Sequence, residues 1–173
     1  MISSDDFRKI TTLIFDVDGI LTDGRVAWLD SGEAVKFFHY QDMHWLKMAI
    51  RAGLRVGLLS AASDSANLRI KDKLGLSFAV TGMKNKLEGF EKILQEYHLT
   101  PEECLFAGDD VVDMPVLRRA GISVTAADGV PELDEVVRWR TRLPGGRGAA
   151  REIVVRVLKE KNLYEKIMER YRR

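Results

Sequence analysis

Two aspartates one residue apart, Asp16 and Asp18, stand directly behind the apolar run Leu13-Ile14-Phe15 in "LIFDVDGILTDG". Farther along, Ser60 closes "RVGLLS", Lys86 lies in "MKNKL", and Asp109, Asp110 and Asp113 belong to "GDDVVD". Each group follows a short β-type stretch. Carboxylates gathered at close range cannot all stay ionised without a cation, and an all-oxygen set suits Mg²⁺. A magnesium ion and a lysine would neutralise a phosphoryl group approaching a carboxylate nucleophile. A serine hydroxyl would add a hydrogen bond to a phosphoryl oxygen. An aspartate can form an acyl-phosphate, and a second acid two residues on can protonate the leaving alcohol and then activate water.

Such groups converge only if the fold brings strand ends together. Apolar β-type runs at Thr12–Phe15, Arg55–Leu59, Phe78–Val80, Cys104–Ala107 and Ile122–Val124 alternate with amphipathic segments at Asp42–Ala52, Ser63–Leu74, Lys84–Tyr97 and Val111–Ala120. This alternation predicts an α/β fold, a Rossmann-like, doubly wound parallel sheet in one domain over 1–173. Ligands of such sheets bind outside the carboxyl ends of the strands, where the strand order reverses. Gly53 and Gly75 stop two of the helices. Arg25–Phe38, with Asp30-Ser31-Gly32 as its turn, reads as a small β-hairpin inserted after the first strand. From about 143 to 173, the glycine-rich "LPGGRGAA" leads into one final helix, with Ile153, Val154, Val157, Leu158, Ile167, Met168 and Tyr171 near a 3.6-residue period.

The formal net charge of +1 gives no reason to expect nucleic acid or an anionic membrane as partner. Cys104 is the single cysteine, which excludes an internal disulfide and a cysteine-based metal cage. Its apolar neighbours make it a buried strand residue. The N-terminal "MISSDDFRKI" does not resemble a signal peptide, and no apolar run approaches a membrane span. Together these features predict a cytoplasmic protein.

"DVDGILTDG", Ser60, Lys86 and "GDDVVD" resemble, in order and on the right elements, the four motifs of the haloacid dehalogenase-like phosphohydrolases. The resemblance implies Asp16 as nucleophile and Asp18 as acid/base, with Ser60 and Lys86 on the phosphoryl group. It implies Mg²⁺ held by Asp16, the Asp18 backbone carbonyl and Asp109, supported by Asp110 and Asp113. The short β-hairpin insert in place of a large cap domain, "KNK" and "GGRGAARE" are similar to the 3-deoxy-D-manno-octulosonate 8-phosphate phosphatase group, from about Leu13 to about Leu158. Membership of that group implies a homotetramer whose hairpins pack at the centre and whose neighbouring subunits help close each active site. It also implies that Gly145–Arg147 can reach a site, with Arg147 as a candidate substrate contact.

The chain departs from that group where a sugar acid would be held. The usual Thr-Gly-Arg is Ser60-Ala61-Ala62, and "NVRDGxG" has become His39-Tyr40-Gln41-Asp42-Met43-His44-Trp45. Neither alanine nor glutamine can replace an arginine fork on a carboxylate. Gln41, Asp42, His44, Ala61 and Ala62 are therefore the candidate substrate positions, with Met43 and Trp45 expected to fill volume beside the pocket or meet a neighbouring subunit. His39, Asp42 and His44 could suggest zinc, but their offset does not fit one helical face. The expected activity is a phosphomonoesterase acting on a small phosphorylated sugar or sugar acid. Keto-nonulosonate 9-phosphates, a phosphomutase reaction and a non-catalytic oligomerisation module of the same fold are the alternatives.

Overall fold

In the computed structural model, which describes residues 2–172, the centre of the sheet is β1 (Thr12–Phe15), four residues buried on both faces. Leu13 and Phe15 point into one core and Ile14 into the other, the alternation a strand imposes. β1 is followed by a hairpin of β2 (Ala27–Trp28) and β3 (Ala34–Val35), and then by α2 (Tyr40–Arg51). The short α1 (Ser4–Lys9) precedes β1. β4 (Arg55–Leu59), α3 (Ser65–Leu74), β5 (Phe78–Val80), α4 (Lys86–Tyr97), β6 (Cys104–Ala107), α5 (Met114–Arg119), β7 (Ile122–Thr125), β8 (Trp139–Arg140), α6 (Ala149–Glu160) and α7 (Tyr164–Met168) complete the order.

The six main strands are parallel and lie in the order β5-β4-β1-β6-β7-β8. The chain runs outward from β1 through β4 to β5, then crosses to β6 and runs outward the other way. The order therefore reverses between β1 and β6, where Phe15 pairs with Ala107. Asp16 and Asp109 follow those two strands at the reversal, as the sequence predicts. One core joins Phe15, Leu46, Ile70, Ile153 and Val157, so α2, α3 and α6 cover one side of the sheet. The other joins Ile14, Phe90, Ile93, Phe106 and Leu117 under α4 and α5. Cys104 is buried within its strand, and that burial pushes its thiol up to about 12.

The hairpin forms around the expected turn, with Gly32 N bonded to Leu29 O and Leu29 N to Glu33 O. Its ladder is only two residues long on each arm. Three expectations need correction. Val111–Ala120 is not one helix: a 3₁₀ turn at Val111–Asp113 comes first, and Pro115 in the first turn of α5 starts a separate helix. The C-terminal segment is not one helix either, because Asn162 adopts φ +58° and turns α7 back toward α2. α1 and β8 were not predicted; at six and two residues they carry little periodic signal. No described helix is long and apolar enough to cross a membrane.

Candidate active site

Lys86 shows how the strand ends are joined. It opens α4, and its ammonium reaches across to Asp16 Oδ2 at 2.8 Å and Asp113 Oδ1 at 2.6 Å. The other Asp113 oxygen accepts from the backbone N–H groups of Asp109 and Asp110, at 3.0 and 3.3 Å. The 3₁₀ turn after β6 is thus folded around the Asp113 carboxylate. Asp16, Asp109 and Asp113 each offer an oxygen, all within 4.8 Å of one another.

The electrostatics follow from crowding. Burial, with the neighbouring Asp113 charge, raises Asp16 well above the usual carboxylate range. Burial and the charges of Asp16 and Asp113 push Asp109 up to about 8. Burial alone would lower Lys86, but the Asp16 and Asp113 charges outweigh it and hold the ammonium above its ordinary value. One ammonium does not neutralise three carboxylates, and the donors are all oxygen. The group therefore fits a hard divalent cation such as Mg²⁺. Gly19 is required beside it, since a Cβ there would collide with the Asp109 carboxylate.

Ser60 follows β4, one strand over from β1. It is buried, and its Oγ accepts from Ala62 N at 3.2 Å and from Asn67 Nδ2 at 3.3 Å. Ala61 is exposed and Ala62 half-buried in the loop between β4 and α3. Asp18 meets Lys36 of the hairpin arm: Lys36 Nζ lies 2.8 Å from Asp18 Oδ2 and 2.6 Å from Asp64 Oδ2. Lys36, Asp64 and Asn67 were not singled out from sequence. A lysine within "AVKFF", flanked by apolar residues in a hairpin arm, was the available signal for the first.

Other candidates lie elsewhere. Asp110 is exposed and caps its own turn through Val111 N at 2.7 Å, so it does not join the buried carboxylates. Asp42 is turned to α6: its buried carboxylate accepts from Gly148 N and Arg151 N at the start of that helix. His44 Nε2 lies 3.4 Å from Tyr171 Oη, against the C-terminal turn. Trp45 stacks on Tyr164 of α7 at 5.9 Å, and Met43 packs against the core, so both fill space under the chain's own helices. Gln41 is exposed at the start of α2. His39, Asp42 and His44 do not form a metal-binding group among the described residues.

Gly145 and Gly146 press on the loop after β1. Gly146 N donates to Ile20 O at 2.9 Å, and a Cβ on Gly145 would strike the Gly19 carbonyl. Arg147 emerges beside Asp23 at 3.6 Å and stays largely exposed. A groove of about 820 Å³ along α6, lined by Trp139, Arg142, Arg151, Arg156 and Lys159 among others, contains none of the clustered aspartates.

A family model described as haloacid dehalogenase-like hydrolase matches residues 38–121. The 3-deoxy-D-manno-octulosonate 8-phosphate phosphatase KdsC of Escherichia coli (strain K12) is 35% identical over 149 residues, covering 84% of this chain and 78% of the relative. A probable yrbi family phosphatase from Pseudomonas syringae has a crystal structure that matches with a TM-score of 0.95 at 32% identity, covering 98% of this chain and 97% of that one. A 3-deoxy-D-manno-octulosonate 8-phosphate phosphatase from Moraxella catarrhalis, crystallised with magnesium, phosphate and KDO, matches at a TM-score of 0.94 and 26% identity, covering 97% of each chain. The extent of these matches and the carboxylates at the sheet reversal lead to one conclusion: the chain belongs to the haloacid dehalogenase-like hydrolases, as one of their phosphatases.

Proposed function

We propose that the chain hydrolyses a small phosphorylated sugar or sugar acid through an aspartyl-phosphate on Asp16, with Mg²⁺ as cofactor. The observation that carries this reading is the close group of Asp16, Asp109 and Asp113, with Lys86 paired to Asp16 and Asp113. Asp16 attacks phosphorus in line, and the bond to the leaving oxygen breaks with its electron pair going to that oxygen. Asp18 gives the leaving oxygen a proton. Water then bonds to phosphorus, Asp18 takes its proton, and the Asp16–phosphorus bond breaks to release phosphate. Lys86 and Ser60 hold the phosphoryl oxygens. Asp16 and Asp109 carboxylates and the Asp18 backbone carbonyl would hold the magnesium ion, with Asp113 beside them. When bound, the ion offsets the charge of the clustered carboxylates and the transferring group.

Similarity to the octulosonate 8-phosphate phosphatases makes that ester the first substrate to test. Ala61, Ala62 and Gln41 supply no guanidinium for a carboxylate, which supports a changed leaving-group pocket. Met43, packed against the core, and Trp45, stacked on Tyr164 of α7, do not add to that support. A panel of octulosonate 8-phosphate, keto-nonulosonate 9-phosphate and neutral sugar phosphates, assayed with Mg²⁺, tests the proposal. Release of phosphate by the native chain and none by Asp16→Asn is expected. A chain inert on the whole panel would refute phosphatase action on this substrate class. A strong preference for the octulosonate ester would overturn the argument from the missing arginines.

We propose that the chain also self-associates. Trp28, Phe37 and Tyr40 are 70%, 72% and 78% exposed on and beside the hairpin. Apolar exposure of that size fits a surface covered by further copies of the chain, as in a homotetramer with intersubunit active sites.

A further inference from the structure

Lys36 is unusual for a lysine in a two-stranded hairpin: its side chain is 1% exposed. The ammonium joins three segments, because it contacts Asp18 after β1 and Asp64 before α3 while belonging to the hairpin arm. Asp64 occupies the N-cap position of α3, where an aspartate ordinarily bonds to the helix's own amides. It makes no such bond and is turned to Lys36. The remaining Asp18 oxygen, Oδ1, is buried and has no hydrogen-bond partner among the described residues. A buried acceptor in that state is completed when a ligand supplies a donor.

The geometry points to Lys36 as the positioning residue for Asp18. It ties up Oδ2 and so fixes Oδ1 as the oxygen that passes a proton to the leaving group and takes one from water. Asp64 holds the ammonium from the opposite side. Lys36 keeps its own protons throughout, and the proton leaving Oδ1 ends on the leaving alcohol, whose bond to phosphorus has broken. The assignment rests on the aspartyl-phosphate reaction proposed above, and it adds a function for the hairpin beyond any contact with other copies. A plain structural clamp would make the same two ion pairs, so the test must separate fastening from orientation.

Leaving groups separate them. 4-Nitrophenolate departs without a proton, whereas the alkoxide of a sugar needs one, and kcat/KM reports the steps through formation of the aspartyl-phosphate. With Mg²⁺ present, Lys36→Met should lower kcat/KM at least about tenfold on a sugar phosphate and less than about threefold on 4-nitrophenyl phosphate. Lys36→Arg should restore part of the sugar-phosphate rate. Asp64→Asn should show the same pattern at smaller amplitude, and it decides the matter if Lys36→Met fails to fold. Equal losses on both esters, or no loss on either, would overturn the assignment. Native chain and Asp16→Asn run alongside: an inert native chain, or an active Asp16→Asn, would refute the aspartyl-phosphate reading itself and the role of Lys36 with it.

Discussion

Asp42 accepts from Gly148 N at 2.9 Å, so the amino end of α6 is capped by a side chain from α2. Gly148 stands at the N-cap position and has no side chain to do this, and Asp42 also takes Arg151 N at 2.7 Å. Asp42→Ala leaves two amide donors unpaired, one buried and one half-buried, at a cost of about 2–3 kcal/mol. For a chain of this size that lowers the melting temperature by about 4–10 °C. Thermal denaturation checks it, and an unchanged melting temperature would refute the cap.

Lys86 is 2% exposed between Asp16 and Asp113, so Lys86→Met strands buried carboxylates that no other described side chain neutralises. Removing one partner of a buried pair costs about 3–5 kcal/mol. Activity should fall by at least about 10²-fold, because a preorganised charge on the phosphoryl group is lost. Mg²⁺ should raise the variant's melting temperature more than the native chain's, since the ion takes over part of the lost neutralisation. Equal melting of both chains in a chelator would contradict the pairing.

Much of this was legible in the sequence, and the parts that were not share a cause. Asp16 and Asp109 closely follow the fully buried β1 and β6, where an apolar run followed by a charge marks the position, whereas Lys86 opens α4 after the partly buried β5. Strand boundaries were readable for the same reason: β1, β4, β5 and β6 begin and end where the apolar runs do. Asp42, His44 and Trp45 lie on α2, and sequence proximity to the hairpin suggested a pocket. Their direction depends on where α6 and α7 return more than 100 residues later, as the Asp42–Gly148 bond shows. Lys36 was missed because its partners come from two separate loops.

Metal binding should depend on pH with a definite sign. Asp109 is raised to about 8, and Asp16 is raised as well, so both folded-state values exceed those of the unfolded chain. For groups raised in this way, the stabilising contribution is present below the unfolded carboxylate range and lost as pH rises through the folded values. The metal-free protein should therefore lose stability between about pH 4 and pH 8 from these two groups. Mg²⁺ competes with the same protons, so the rise in melting temperature that it produces should be larger at pH 8 than at pH 6. Melting curves with Mg²⁺ and with chelator at both values test this; a lift that shrinks toward pH 8 would be inconsistent with the raised carboxylates.

Trp28 offers a test of self-association. At 70% exposed, it contributes little to the fold of one copy. Trp28→Ser should therefore leave circular dichroism unchanged while light scattering reports a smaller particle. A native chain that scatters as a monomer would remove the hairpin interface and, with it, the intersubunit active site.

Gly145 tests whether the C-terminal loop supports the acid/base turn or merely fastens the chain. A Cβ there meets the Gly19 carbonyl, and Gly19 cannot retreat freely because it is itself packed on the Asp109 carboxylate. Gly145→Ala must therefore displace the turn that follows Asp18. Overpacking of this kind costs about 1–3 kcal/mol, and a shift near 1 Å at a reacting group costs about 10²-fold in rate. Gly53→Ala provides the comparison: Gly53 has φ +88° at the end of α2 with open space around it, so the variant loses stability through its backbone alone. Gly145→Ala should lose turnover beyond anything its melting temperature explains, whereas Gly53→Ala should melt lower and keep the native rate. If both keep it, the glycine-rich loop fastens α6 to the domain without setting the geometry of Asp18.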